Sequence, residues 1–160
     1  MGKCSWTTYT GAKKTELTEQ IRVMTWCRSM EAYDKDYELI YHIPNEGKRK
    51  RRTGGNLVKA GLKKGVPDIC VPVSKLGMHG LYIELKKDKS GDISKEQIEW
   101  IKRLSKQKYL ATVCYGADEA IELITAYMQS DSNKLLTIYR HIQEDGKTGK
   151  IDFKNVLEIK

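Results

Sequence analysis

Two short apolar stretches constrain this chain most: Gly65-Val66-Pro67-Asp68-Ile69-Cys70-Val71 and Leu81-Tyr82-Ile83-Glu84-Leu85-Lys86. Their β-branched and aliphatic content predicts two strands, over residues 68–73 and 81–87. Side chains alternate faces along a strand, so Leu81, Ile83 and Leu85 form a stripe suited to burial against a helix. Glu84 and Lys86 are left together on the opposite face, and Asp68 opens the neighbouring strand. Two carboxylates suit a hard divalent cation such as Mg2+, which takes oxygen ligands. A lysine beside them can hold or deprotonate a water, and metal-assisted phosphodiester hydrolysis needs that set.

The flanking residues supply the elements that would frame such a site. Apolar periodicity predicts a helix over 16–30, in which Leu17, Ile21, Met24 and Arg28 share one line and Glu19, Val23, Trp26 and Met30 the next. Glu19 falls at the edge of the apolar face; a solvated first-turn glutamate favoured by the helix dipole is the alternative reading. Tyr37, Leu39, Tyr41 and Ile43 alternate as a first strand, ended by Pro44. Asn56 is placed to cap a short helix through Lys64, with Gly65 as its stop. Ser94-Lys95-Glu96-Gln97 reads as a capping box that opens a helix to about Gln107. A fourth strand over 109–115 and a helix over 118–128, entered through Gly116, follow. The division expected is a loose N-terminus over 1–14, one domain over 15–128, and an extension over 129–160. In that extension 134–143 has helical character and Asp145-Gly146 signals a turn.

Charge is distributed unevenly. The chain of 160 residues carries a formal net charge of +8. Between Pro44 and Gly65 the basic residues Lys48, Arg49, Lys50, Arg51, Arg52, Lys59, Lys63 and Lys64 face a single acid, Glu46, so the rest of the chain is nearly neutral. A charge excess confined to one segment beside a candidate metal site favours nucleic acid over a generally solvated surface. Cys27, Cys70 and Cys114 sit in helix and strand patterns and read as buried thiols; with no CxxC pair and no clustering of His42, His79 or His141 with them, zinc is not expected. No signal peptide or membrane-length apolar run is apparent, so an intracellular, reduced setting without membrane contact is expected.

Pro67-Asp68, Glu84-Leu85-Lys86 and their frame of elements resemble the PD-(D/E)XK nuclease superfamily, and more closely the small stand-alone VRR-NUC form found in phages and viruses. Ile43-Pro44-Asn45-Glu46-Gly47-Lys48-Arg49, Lys64-Gly65-Val66-Pro67-Asp68-Ile69, Ile83-Glu84-Leu85-Lys86 and Ser94-Lys95-Glu96-Gln97 carry the likeness in order. It implies an α/β, restriction-endonuclease-like core of helix, three strands, helix, strand and helix around a mixed sheet. A Mg2+- or Mn2+-dependent deoxyribonuclease is implied as well, without a small-molecule cofactor, cutting junctions or flaps and working as a homodimer. By position, Asp68, Glu84 and the Leu85 carbonyl match the metal ligands, Lys86 the catalytic lysine, Glu19 the first-helix glutamate, and Gln97 the glutamine after the third strand. Gln97 also has its purely structural use in the capping box, and the two roles are compatible. Two rival readings stand beside the nuclease: a DNA-binding module of this fold with its chemistry unused, and a protein whose Lys48–Arg52 run is a docking or localisation tag.

Overall fold

The computed structural model describes residues 14–44, 56–138, 140–142 and 148–150. The chain opens with α1 (Glu16–Met30), started by a capping box in which Thr15 and Thr18 satisfy each other's amides. A 3-10 turn (Lys35–Leu39) leads into β1 (Tyr41–His42). Then come β2 (Ile69–Val71), β3 (Leu81–Lys86), α2 (Lys95–Lys106), β4 (Leu110–Tyr115), α3 (Ala117–Met128), α4 (Ser132–Ile138), β5 (Arg140–Ile142) and β6 (Thr148–Lys150). The main sheet has the order β1-β2-β3-β4, antiparallel at its first two pairings and parallel at β3–β4; α2 makes the crossover. This is the mixed α/β core expected from the sequence.

One face of that sheet carries the main core. Ile69, Val71, Leu81, Ile83 and Leu85 pack with Val23 and Cys27 of α1 and with Leu123, Ile124 and Tyr127 of α3. Each fully buried aliphatic side chain there contributes about 1.5–3 kcal/mol. The other face holds a smaller cluster, in which Ile101 of α2 meets Ala111 and Val113 of β4, with Tyr82 against them. Cys27, Cys70 and Cys114 are buried free thiols. Among the described residues, no helix is long and apolar enough to cross a membrane.

The structure corrects three expected elements. The alternation from Tyr37 is not a strand until Tyr41. Asp34 accepts from the Asp36 amide at 2.9 Å and turns the chain into the 3-10 helix, which drops Tyr37 edge-on against Trp26 with ring centroids 5.6 Å apart. Of the helix expected over 56–64, the described residues are helical only over 56–59, because Gly61 takes φ +104° and ends it early. Beyond Met128, Leu135 is 1% exposed and joins the main core; of the helix expected over 134–143, the residues to Ile138 are helical in α4, whereas 140–142 form β5, paired with β6. The 1–13 tail, Lys48–Arg52 and the Asp145-Gly146 turn lie outside the described residues.

Candidate active site

Strand register builds the site. Ile69 pairs with Ile83 and Cys70 with Tyr82, so one step further Asp68 faces Glu84, on the sheet face away from the main core. The Leu85 amide donates to Asp68 Oδ2 at 2.8 Å and clamps the first carboxylate to β3. From the other side, the Ile43 amide at 2.7 Å and His42 Nδ1 at 3.0 Å both reach the Asp68 carbonyl; a carbonyl only accepts, so the ring nitrogen is the donor. Asp68 is thus held between β1 and β3 through its backbone and its side chain.

Glu84 is 2% exposed. Its Oε1 accepts from Lys86 Nζ at 3.0 Å and from Gln97 Nε2, while its Oε2 is buried with no hydrogen-bond partner. Gln97 Oε1 closes the capping box on the Ser94 amide at 2.8 Å and lies 3.4 Å from Lys86 Nζ. Gln97 therefore caps α2 and touches the site with one amide group.

The electrostatics follow from that burial. Desolvation, then the neighbouring Asp68 charge, pushes the Glu84 carboxyl up to about 8. Asp68 is also raised, by burial, against the pull of the Leu85 amide and the Lys86 charge. Burial works against the Lys86 ammonium, but the Glu84 charge and hydrogen bond outweigh it, so Lys86 is raised. Asp68 and Glu84 titrate as a pair, each raised by burial, and the Asp68 charge adds to the upward direction at Glu84.

The two glutamates of α1 part ways. Glu19 is buried, and its Oε2 accepts from the Ala117 amide at 2.7 Å and from Arg22 Nη1 at 3.0 Å; Arg22 continues to Asp118 Oδ1 at 2.6 Å. The Glu19 carboxylate therefore caps α3 from outside, where Gly116 has no side chain to do so. It is the exposed Glu16, one turn earlier, whose charge reaches Asp68, Glu84 and Lys86. The sequence pattern placed both on α1 but held no sign of which would turn towards α3.

Of the basic residues, Lys59, Lys63 and Lys64 are exposed. Gly65, at φ +77°, packs so closely on α2 that a Cβ there would lie 2.5 Å from the Glu96 backbone, and Trp100 Nε1 donates to the Lys64 carbonyl at 2.8 Å. Lys64 is thereby brought to the first turn of α2, beside Gln97. A separate cleft of about 430 Å3 opens between α1 and β1, lined by Ile21, Met24, Arg28, Ile40 and His42 among others.

A divalent cation fits this donor set. Among the described residues no cluster of three or more His, Cys, Asp or Glu surrounds one point. Mg2+, however, commonly takes one or two carboxylates and completes its shell with water and phosphate. The partnerless Glu84 Oε2 and the raised carboxyl pair are what two such ligands show before a cation neutralises them.

The VRR-NUC domain family model matches residues 18–118. A solved structure described as a VRR_NUC domain protein is 30% identical, with a TM-score of 0.62, and the alignment covers 74% of this chain and 92% of that one. No curated protein matches.

Proposed function

The chain belongs to the VRR-NUC domain family, with its nuclease-type fold, and from that premise we propose that it is a Mg2+- or Mn2+-dependent DNA endonuclease. The observation that carries the reading is the partnerless, buried Glu84 Oε2 beside Asp68, with Lys86 Nζ 3.0 Å from the same carboxylate. Asp68, Glu84 and the Leu85 carbonyl would hold the cation. A bound cation supplies Lewis-acid activation of water and charge neutralisation on the phosphate.

The residues of the chain do the rest. The Leu85 amide fixes the Asp68 carboxylate, which would hold the cation together with Glu84. Gln97 holds Glu84 Oε1, and the partnerless Oε2 would be the oxygen offered to a cation. Lys86, kept protonated by Glu84, acts as an ammonium that orients water and phosphate oxygen, in preference to the proton-accepting role considered from the sequence. Glu16 takes the outer acidic position that position along the sequence had given to Glu19. Lys59, Lys63 and Lys64, with Lys48, Arg49, Lys50, Arg51 and Arg52, would neutralise backbone phosphates without reading bases.

By family likeness the protein acts as a homodimer on branched DNA, since a four-way junction presents symmetry-related strands to two sites. Light scattering should then give about twice the chain mass. The deciding experiment incubates purified protein with linear duplex, flap and four-way junction DNA, with Mg2+ and with EDTA. Mg2+-dependent cutting that Glu84→Gln abolishes is expected; metal-independent cutting, or none on any DNA, defeats the reading.

A further inference from the structure

The carboxylate row has a neighbour on the same sheet face. Tyr41 pairs with Cys70, Cys70 with Tyr82, and Tyr82 with Ala111, so Tyr41, Cys70 and Tyr82 form one row across three strands. Glu84 lies two positions along β3 from Tyr82, a displacement of about 6.6 Å. Tyr41 lies two strands over, about 10 Å to the side. Tyr82 and Tyr109 meet edge to face with centroids 5.4 Å apart, and His79 tilts against Tyr109 at 5.6 Å. The buried Cys70 lies between Tyr41 and Tyr82 in this row. α2 covers the β4 side of this face, whereas Tyr41, at the β1 edge, is 49% exposed. Core packing accounts for Tyr82; it does not account for an exposed tyrosine at the end of the row.

We infer that this tyrosine row is a stacking platform for unpaired bases flanking the scissile phosphate, with Tyr41 as its accessible end, so that the favoured substrate carries a single-stranded arm beside the cut. The inference rests on the nuclease reading above. A phosphate at Asp68 and Glu84 places the next bases of its strand within a nucleotide or two of Tyr82 and Tyr41. A paired base keeps its faces stacked inside the duplex, whereas an unpaired one can leave and stack on an aromatic ring. Such stacking tolerates any base, which matches phosphate contacts that carry no sequence information.

The test uses the full chain carrying Glu84→Gln, so that DNA is bound and not cut. Anisotropy in Mg2+ compares a blunt duplex with the same duplex bearing a short unpaired arm, and 2-aminopurine in the arm reports stacking. The Tyr41-containing protein should prefer the armed duplex and quench the probe. Adding Tyr41→Ala should cut that preference on the order of ten-fold, the scale of one base–aromatic stack, and leave blunt-duplex affinity unchanged. Tyr41→Phe should retain both preference and quenching. Equal preference and quenching with and without the Tyr41 ring overturns the platform while leaving the nuclease reading intact. Absence of any DNA binding overturns both, and an unchanged thermal unfolding curve for Tyr41→Ala shows that a loss is not one of folding.

Discussion

Gln97 donates its side-chain amide to Glu84 Oε1 while its own oxygen accepts from the Ser94 backbone, so helix capping and the carboxylate site share one side chain. The two uses separate experimentally. Ser94→Ala removes the cap partner and should cost about 1 kcal/mol of stability, with cleavage nearly unchanged. Gln97→Ala removes the cap and also frees Glu84, so a similar loss of stability should come with a fall in cleavage of ten-fold or more. Equal activity in the two variants, measured well below their unfolding temperatures, would confine Gln97 to capping.

The metal reading makes a stability prediction as well as a catalytic one. Asp68→Asn and Glu84→Gln should each abolish Mg2+-dependent cleavage, since each removes an anionic oxygen at nearly constant volume. Without metal, the folded Glu84 carboxyl sits near 8, above its value of 4.5 in the absence of perturbation. A raised carboxyl binds its proton more tightly when folded, so its contribution to stability is present at low pH and is lost as pH rises between those two values. Glu84→Gln should therefore flatten the fall in unfolding temperature over that window. A wild-type curve that rises with pH there, with no difference from the variant, contradicts the assignment of a protonated Glu84.

Linkage carries the same raised carboxyl into metal binding. Below pH 8 a cation must displace the Glu84 proton, so Mg2+ or Mn2+ binding should release close to one proton and tighten with pH, levelling off above that value. Calorimetry in buffers of different ionisation enthalpy measures the proton count. No release at pH 6.5 would place the cation elsewhere.

Much of this site was legible in local pattern. The period-two alternation of β3 separates Leu81, Ile83 and Leu85 from Glu84 and Lys86, and the Ser94–Gln97 spacing reports a capping box; both depend only on neighbouring residues. The remainder depends on contacts between distant segments. Tyr37 alternates like a strand residue, but an Asp34 side-chain turn and the Trp26 ring took it into a 3-10 helix. The tyrosine row needs the registers of three strands, and no single segment records them. Nor does helical periodicity say that Glu19 will meet the first amide of α3, ninety-eight residues on.

That last contact separates the two α1 glutamates by phenotype. Glu19→Ala leaves the buried Ala117 amide without an acceptor and should destabilise the protein by about 2 kcal/mol or more. Cleavage should persist at temperatures where the variant stays folded. Glu16→Gln, at an exposed position, should change stability by less than about 0.5 kcal/mol. It should nonetheless weaken Mg2+ affinity or slow cleavage. The opposite pattern, with catalysis lost only at Glu19, would return the first-helix role to that residue.

The basic segment makes a quantitative prediction about salt. If Lys48, Arg49, Lys50, Arg51 and Arg52 touch phosphates, each contact releases counterions, and the slope of log K against log salt changes by about −0.9 per contact on duplex DNA. Replacing all five with alanine should flatten that slope by up to about 4 units, less for each side chain that points to solvent. The loss should be similar for unrelated sequences of the same DNA shape, because phosphate contacts carry no base information. Asp68 and Glu84 are positioned by β1, β3 and α2, so the proposed metal site should survive the change. Cleavage should then recover in part at low salt and high enzyme concentration, helped by the exposed Lys59, Lys63 and Lys64 that remain. An unchanged slope in the five-fold variant would remove this run from the DNA interface and leave it the docking or localisation role.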